Sequence, residues 1–221
     1  METTTQLPQS LPADDMSFAV AVGVPDGQVK AAESDGKRWF IAIVAHNTEK
    51  SCCRKLEELF TIEGKKTLDF ETYVPSQKEL RIWRNGRRKK VDRILIPTFL
   101  FIRCTEDTRK AIKIHAVFIK HFMKDPAGQT DAFGMYPFAF IPEHQMLNLQ
   151  RMVGDAETPV TIDPRRLYVG VRVRVKGGRL KGLEGNILRE PSGSTSLVLG
   201  IHILGYAKVE MPLELLEVME N

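Results

Sequence analysis

This sequence has no long hydrophobic run. Its longest apolar stretch, residues 17–24, falls far short of the ~20 apolar residues a helix needs to cross a bilayer. Asp14 and Asp15 stand ahead of it, where a secretory signal carries positive charge. A cytoplasmic protein with no membrane partner is therefore expected. Cysteine is scarce as well. There are three, with Cys52 and Cys53 adjacent and Cys104 distant, so neither a disulfide framework nor metal-ligand spacing is present. His46, His115, His121, His144 and His202 are scattered, none with a ligand partner three or four residues away, and no metal site is expected. Nucleophile elbows, paired-carboxylate motifs and zinc-protease helices are also missing. The glycine-rich residues 176–185 lack the Gly-Lys-Ser/Thr and following helix of a phosphate-binding loop. Neither an enzyme nor a cofactor is expected.

What remains is an ordinary globular composition, 43% hydrophobic and 27% charged, which excludes wholesale disorder. Its 221 residues suit one domain or two small ones. Residues 1–37 carry no sustained period and read as a mostly unstructured leader, with a short strand possible over residues 18–22. The run Trp39-Phe40-Ile41-Ala42-Ile43-Val44 reads as a buried central strand. A helix follows, capped by Asn47 or Thr48, with Cys53, Leu56 and Phe60 as its apolar stripe and Gly64 at its end; on that stripe Cys53 is packing rather than a nucleophile. Further strands are predicted over residues 70–75, 94–104 and 117–123, helices over residues 105–115 and from Pro142 with Met146, Leu149 and Val153 on one stripe, and a tight hairpin at Asn85-Gly86. This is an α+β arrangement over residues 38–153. Residues 154–164 read as a linker. Beyond it, in residues 165–221, Val171, Val173 and Val175 alternate with basic residues, and short strands closed by glycine turns suggest a small barrel.

Positive charge is concentrated in one place. Residues 78–93 hold eight basic residues against two acidic, a local +6 on a chain of net +4, so the remainder is −2. Charge clustered at a loop tip beside Trp83 suits phosphate contacts, although a projecting hairpin also needs a solvated surface. On the strand that follows, Pro97, Phe99 and Phe101 share one face and Leu100 and Ile102 the other. One sheet and three helices have little capacity to bury every aromatic, so a partly uncovered apolar patch is expected, and such patches mark partner sites.

Taken in order, the opening strand at Trp39, the strand Leu95-Ile96-Pro97-Thr98-Phe99-Leu100-Phe101-Ile102 after a basic hairpin, and the terminal pattern of Val173, Val175, Gly178, Lys181, Gly182, Gly185 and Ile187 resemble the NusG family of transcription elongation factors. The resemblance covers nearly everything after the leader. It implies an NGN domain, a mixed or antiparallel sheet with helices, followed by an SH3-like KOW β-barrel that carries the terminal pattern. It further implies a monomer that binds the clamp coiled coil of the largest subunit of RNA polymerase through an apolar hollow formed by Trp39, Pro97, Phe99 and Phe101. Lys50, Arg54 and Lys55, with Arg84, Arg87, Arg88, Lys89 and Lys90 of the hairpin, would face DNA of the elongation complex or the opposite polymerase subunit. In the family the barrel recruits partners such as the termination factor Rho or a ribosomal protein. Thr98 stands where housekeeping members usually have glycine. Together with the long leader it makes the chain similar to the specialised UpxY-type branch, which promotes antitermination across surface-polysaccharide operons. The alternative is a KOW-containing RNA-binding or ribosome-associated protein.

Overall fold

The computed structural model describes residues 36–165 and 167–219. The leader readings over residues 1–35 lie outside the described residues. The first unit contains β1 (Arg38–Ile43), α1 (Glu49–Leu59), β2 (Thr61–Ile62), β3 (Lys65–Lys66), β4 (Glu71–Tyr73), β5 (Ser76–Ile82), β6 (Arg88–Ile94), β7 (Phe99–Cys104), α2 (Glu106–His115), β8 (His121–Phe122), β9 (Phe140–Ile141) and α3 (Glu143–Asp155). β1 is central, antiparallel to β7 on one side and to both β8 and β9 on the other, and β4 extends the sheet beyond β7.

Alternation along β1 and β7 makes both faces of this sheet apolar. Phe40 and Ala42 with Leu100, Ile102 and Cys104 form one core, shared with Cys52, Leu56 and Ile112 from α1 and α2. Trp39, Ile41 and Phe101 belong to a second core that continues through Met146, Leu149, Met152 and Val153 of α3. α2 fits its sequence well: the Thr105 side chain accepts from the Thr108 N–H as an N-cap. Its Arg109 is buried, chelated by Glu106 at 2.6 and 3.0 Å and stacked 3.6 Å over Phe138.

Several expectations need correction. α1 has no side-chain cap, because the Thr48 hydroxyl donates back to the Ala45 carbonyl, and Asn47 sits at φ 63°. Its buried stripe is Cys52 and Leu56, with Cys53 only half-buried. The helix stops at Leu59, and Gly64 instead turns the β2–β3 ribbon with Glu63, both at positive φ as that tight turn requires. Of residues 117–123 only His121–Phe122 is strand. The basic hairpin closes through a longer loop than two residues: the Gly86 N–H donates to the Trp83 carbonyl, and the Trp83 N–H to the Arg87 carbonyl.

The second unit is one six-stranded antiparallel sheet, β10 (Val160–Asp163), β11 (Arg172–Val175), β12 (Glu184–Arg189), β13 (Thr195–Ile201), β14 (Gly205–Glu210) and β15 (Leu216–Val218), in the order β10-β14-β13-β12-β11-β15. β10 lies inside the segment expected as a linker. Its four residues are too short for periodicity to reveal, and pairing with β14 defines it. Among the described residues no β10–β15 pairing closes the ring. Gly185 on β12 is obligatory, since a side chain there would meet the Val198 carbonyl oxygen at 2.6 Å. The inner face, with Val173, Val175, Leu197, Leu199, Ala207 and Val209, is continuous with the core of Trp39, Phe101 and α3.

Two tests follow from this architecture. Thr98, just before β7, sits at φ 69°, a region that strains a β-branched residue, and its N–H donates to the buried Glu49 carboxylate at 2.6 Å. Thr98→Gly should raise stability by about 1 kcal/mol, a melting-temperature gain of about 2–4 °C. On β10, hydrogen bonds from Arg165 hold the Asp163 carboxyl down at about 2. Because the folded value lies below the unfolded one of about 4, Asp163 adds stability above that pH, and this is lost as pH falls toward 2. Denaturant titrations of Asp163→Asn should therefore show a shallower loss of stability across that acid window than the parent chain.

Candidate functional site

The hollow expected at Trp39, Pro97, Phe99 and Phe101 is not left open. Trp39 is 3% exposed and Phe101 0%, Phe99 is half-buried against the same core, and Pro97 alone is exposed, in the turn before β7. The cause is tertiary and has no local signal. The β1–β7 face that carries these rings is covered by α3, and the second sheet, packed on α3 through β13, continues the same core.

The edge of that cover is polar. Gln77 at the root of β5 donates to the Val153 carbonyl at 3.2 Å and accepts from the Val160 N–H at 2.7 Å, bridging hairpin, α3 and β10. Gln145 of α3 accepts the backbone N–H of His202, in the β13–β14 turn, at 2.7 Å. The His202 ring meets Asp125 of the β8–β9 loop at 3.1 Å. Arg151 donates to the Lys181 carbonyl, and Arg179 lies 3.6 Å from Asp155. Sequence reading singled out none of Gln77, Gln145 and Arg151. Their partners lie 76, 57 and 30 positions away, beyond any local pattern. Inside the rim, the Trp39 indole Nε1 is buried without an acceptor; Glu49 Oε2 is the other buried side-chain atom without a partner among the described residues.

The second surface is the hairpin. Residues 78–90 are all exposed. Cross-strand register places Lys78, Leu80, Ile82, Arg88, Lys90 and Asp92 on one face. Asp92 on that face pairs with Lys50 of α1 at 2.7 Å, which ties hairpin to helix and lowers the Asp92 carboxyl below its ordinary range. Lys50 is thus engaged within the chain. Arg54, one turn along α1, and Lys55 are exposed. Arg84, Arg88, Lys89 and Lys90 make no side-chain bond or ion pair among the described residues, and Arg87 uses only its backbone, the N–H on Asn85 and the carbonyl on Trp83. The site is therefore a strip of uncompensated cations beside Trp83, itself 58% exposed.

The terminal pattern takes structural positions. Val173 and Val175 are buried, Gly178 and Gly182 take positive φ between β11 and β12, and Ile187 packs half-buried on the core. Lys181 is exposed, its carbonyl held by Arg151. Burial pushes the Cys104 thiol up to about 12 and raises that of Cys53, so neither supplies a thiolate near neutrality. Among the described residues no cluster of three or more His, Cys, Asp or Glu is arranged to hold a metal ion, and no helix is long and apolar enough to cross a membrane.

A family model described as "Transcription termination factor nusG" matches residues 37–166. A solved structure from Thermotoga maritima, described as "Domain interaction in Thermotoga maritima NusG", is similar at 16% identity with a TM-score of 0.47, over 83% of this chain and 98% of that one. A chain of "Crystal Structure of MjSpt4:Spt5 complex conformation B" is similar at 12% identity with a TM-score of 0.24, over 83% and 97%. No curated protein matches the sequence.

Proposed function

The chain belongs to the NusG family of transcription factors, and we propose that it is a cytoplasmic elongation and antitermination factor that binds RNA polymerase through the NGN-like residues 38–153. Residues 165–221 act as its KOW module. The observation that carries this reading is the β1–β7 face. Its apolar centre, Trp39 and Phe101, is sealed by a cover fastened at the rim through side-chain bonds from Gln77, Gln145 and Arg151. An apolar centre inside a polar rim is the anatomy of an interface between separable bodies. The paired helices of the polymerase clamp then replace the second sheet on this face, so the covered arrangement is the resting state. Binding holds the clamp closed and suppresses pausing without covalent chemistry, in a family whose members are generally non-enzymatic. Once released, the KOW module is free to meet Rho or a ribosomal protein.

The hairpin is the nucleic-acid contact. Its support is a local charge of +6 on exposed side chains with no acid to neutralise Arg84, Arg87, Arg88, Lys89 and Lys90. Thr98 supports placement in the UpxY-type branch, with surface-polysaccharide operons as its targets: the chain holds at φ 69° a residue where glycine would be unstrained.

Co-purification with core polymerase tests the docking face. Phe99→Ala combined with Phe101→Asp should abolish retention, and unchanged retention, or retention on free ribosomes instead, would remove the assigned interface. The hairpin is tested separately by converting Arg87, Arg88 and Lys89 to Glu. We expect DNA crosslinking and pause suppression to disappear, with a salt dependence flatter by about 0.9 for each phosphate the hairpin no longer neutralises; wild-type values in both assays would rule the hairpin out.

A further inference from the structure

The β5–β6 hairpin reaches away from the body as an arm. Residues 78–90 are all exposed, so its direction is set at its root. Strand alternation gives that root two faces. On one, Gln77 holds the Val153 carbonyl and the Val160 N–H. On the other, Asp92, opposite Lys78 in the register, accepts from the Lys50 ammonium of α1 at 2.7 Å. The root is thus gripped from both sides, by an amide and by an ion pair. Leverage makes this grip matter. Asp92 lies about 17 Å of strand from the tip, so a swing of about 20° there carries the tip by about 6 Å, more than one ~3.4 Å step along a nucleic-acid strand. The acids of the hairpin also differ. Among the described residues Glu79 has no side-chain bond or ion pair, whereas Asp92 engages Lys50.

We propose that Lys50 is a positioning residue and not a phosphate contact: through Asp92 it aims the arm, so that the free cations near the hairpin tip lie on one track with Arg54 and Lys55 of α1. This rests on the nucleic-acid reading of the hairpin and departs from the role that the family resemblance gives Lys50. A half-exposed ion pair is weak, yet it suffices here, because it has only to bias the direction of an arm already joined to the body and not to hold the fold together. The outcome runs against simple charge counting. Removing an acid from a cationic surface ordinarily tightens its hold on a polyanion, and loss of the Asp92 charge also frees Lys50 for a phosphate. Where the pair aims the arm, its loss weakens binding instead. Glu79 carries the same charge on the same hairpin without a partner, so its removal follows the ordinary rule.

The test measures the affinity of the full-length chain for a short labelled duplex DNA, and its salt dependence, without polymerase. Glu79→Gln is expected to tighten binding. Asp92→Asn is expected to weaken it roughly twofold to fivefold, the worth of one exposed ion pair. Lys50→Met should weaken it as much, with the salt slope of the parent, and Lys50→Met combined with Asp92→Asn should bind no worse than either alone. These side chains are exposed, so the melting temperature of each variant should stay that of the parent. Equal or tighter binding by Asp92→Asn, or a slope shallower by about 0.9 in Lys50→Met, overturns the positioning role. Converting Arg87, Arg88 and Lys89 to Glu separates the two ideas. If that abolishes binding while Asp92→Asn binds as well as the parent or better, the positioning role is wrong and the hairpin remains the contact. If it leaves binding intact, the hairpin reading is wrong and the positioning role goes with it.

Discussion

A strand with five consecutive apolar residues, Trp39 to Ile43, cannot present a wet face. That constraint on β1 organises the whole molecule. Alternation sends Phe40 and Ala42 to one side and Trp39 and Ile41 to the other, and the neighbouring β7 does the same with Leu100 and Ile102 against Phe101. Two covers are therefore required. α1 and α2 supply the first from adjacent sequence. The second comes from α3 and, beyond it, from the six-stranded sheet of residues 160–218, so the unit that a partner would have to displace is also the unit that completes the core.

The two covers differ in how they are held. Against the α1–α2 face the contact is continuous apolar packing, with the Arg109–Glu106 pair and the Phe138 ring filling its edge. On the opposite face the apolar core is equally continuous, and bonds from Gln77, Gln145, Arg151, His202 and Arg179 are added at its perimeter. Exposed or half-exposed polar contacts of this kind exchange readily with water. Gln77 joins the hairpin root to α3 and β10, which makes the basic hairpin and the second sheet neighbours through a single amide.

Much of the fold was legible because it is local. A continuous apolar run located β1, alternation located β7, an amphipathic pattern over residues 105–115 located α2, the Met146–Leu149–Val153 stripe located α3, and glycine turns delimited the strands of the second sheet. The failures have physical causes. Glu63 carries a positive φ that its side chain does not announce, which hid the β2–β3 ribbon. Val160–Asp163 is too short for periodicity to show. At the candidate site, the grouping of Trp39, Phe99 and Phe101 follows from strand alternation, and the hairpin's charge from composition. Whether the aromatic face is open depends on contacts more than 50 positions apart, such as Gln145 with His202, and no window along the chain contains those.

The central claim is that the second sheet occupies a surface it must vacate. The most direct measurement joins the two bodies reversibly. Gln145→Cys and His202→Cys, in a Cys53→Ser background, would be bridged by a short cleavable thiol crosslinker across the site where His202 N–H meets Gln145 at 2.7 Å. We expect the bridged chain to lose binding to core polymerase and to regain it on cleavage. Equal binding before and after cleavage would contradict the claim.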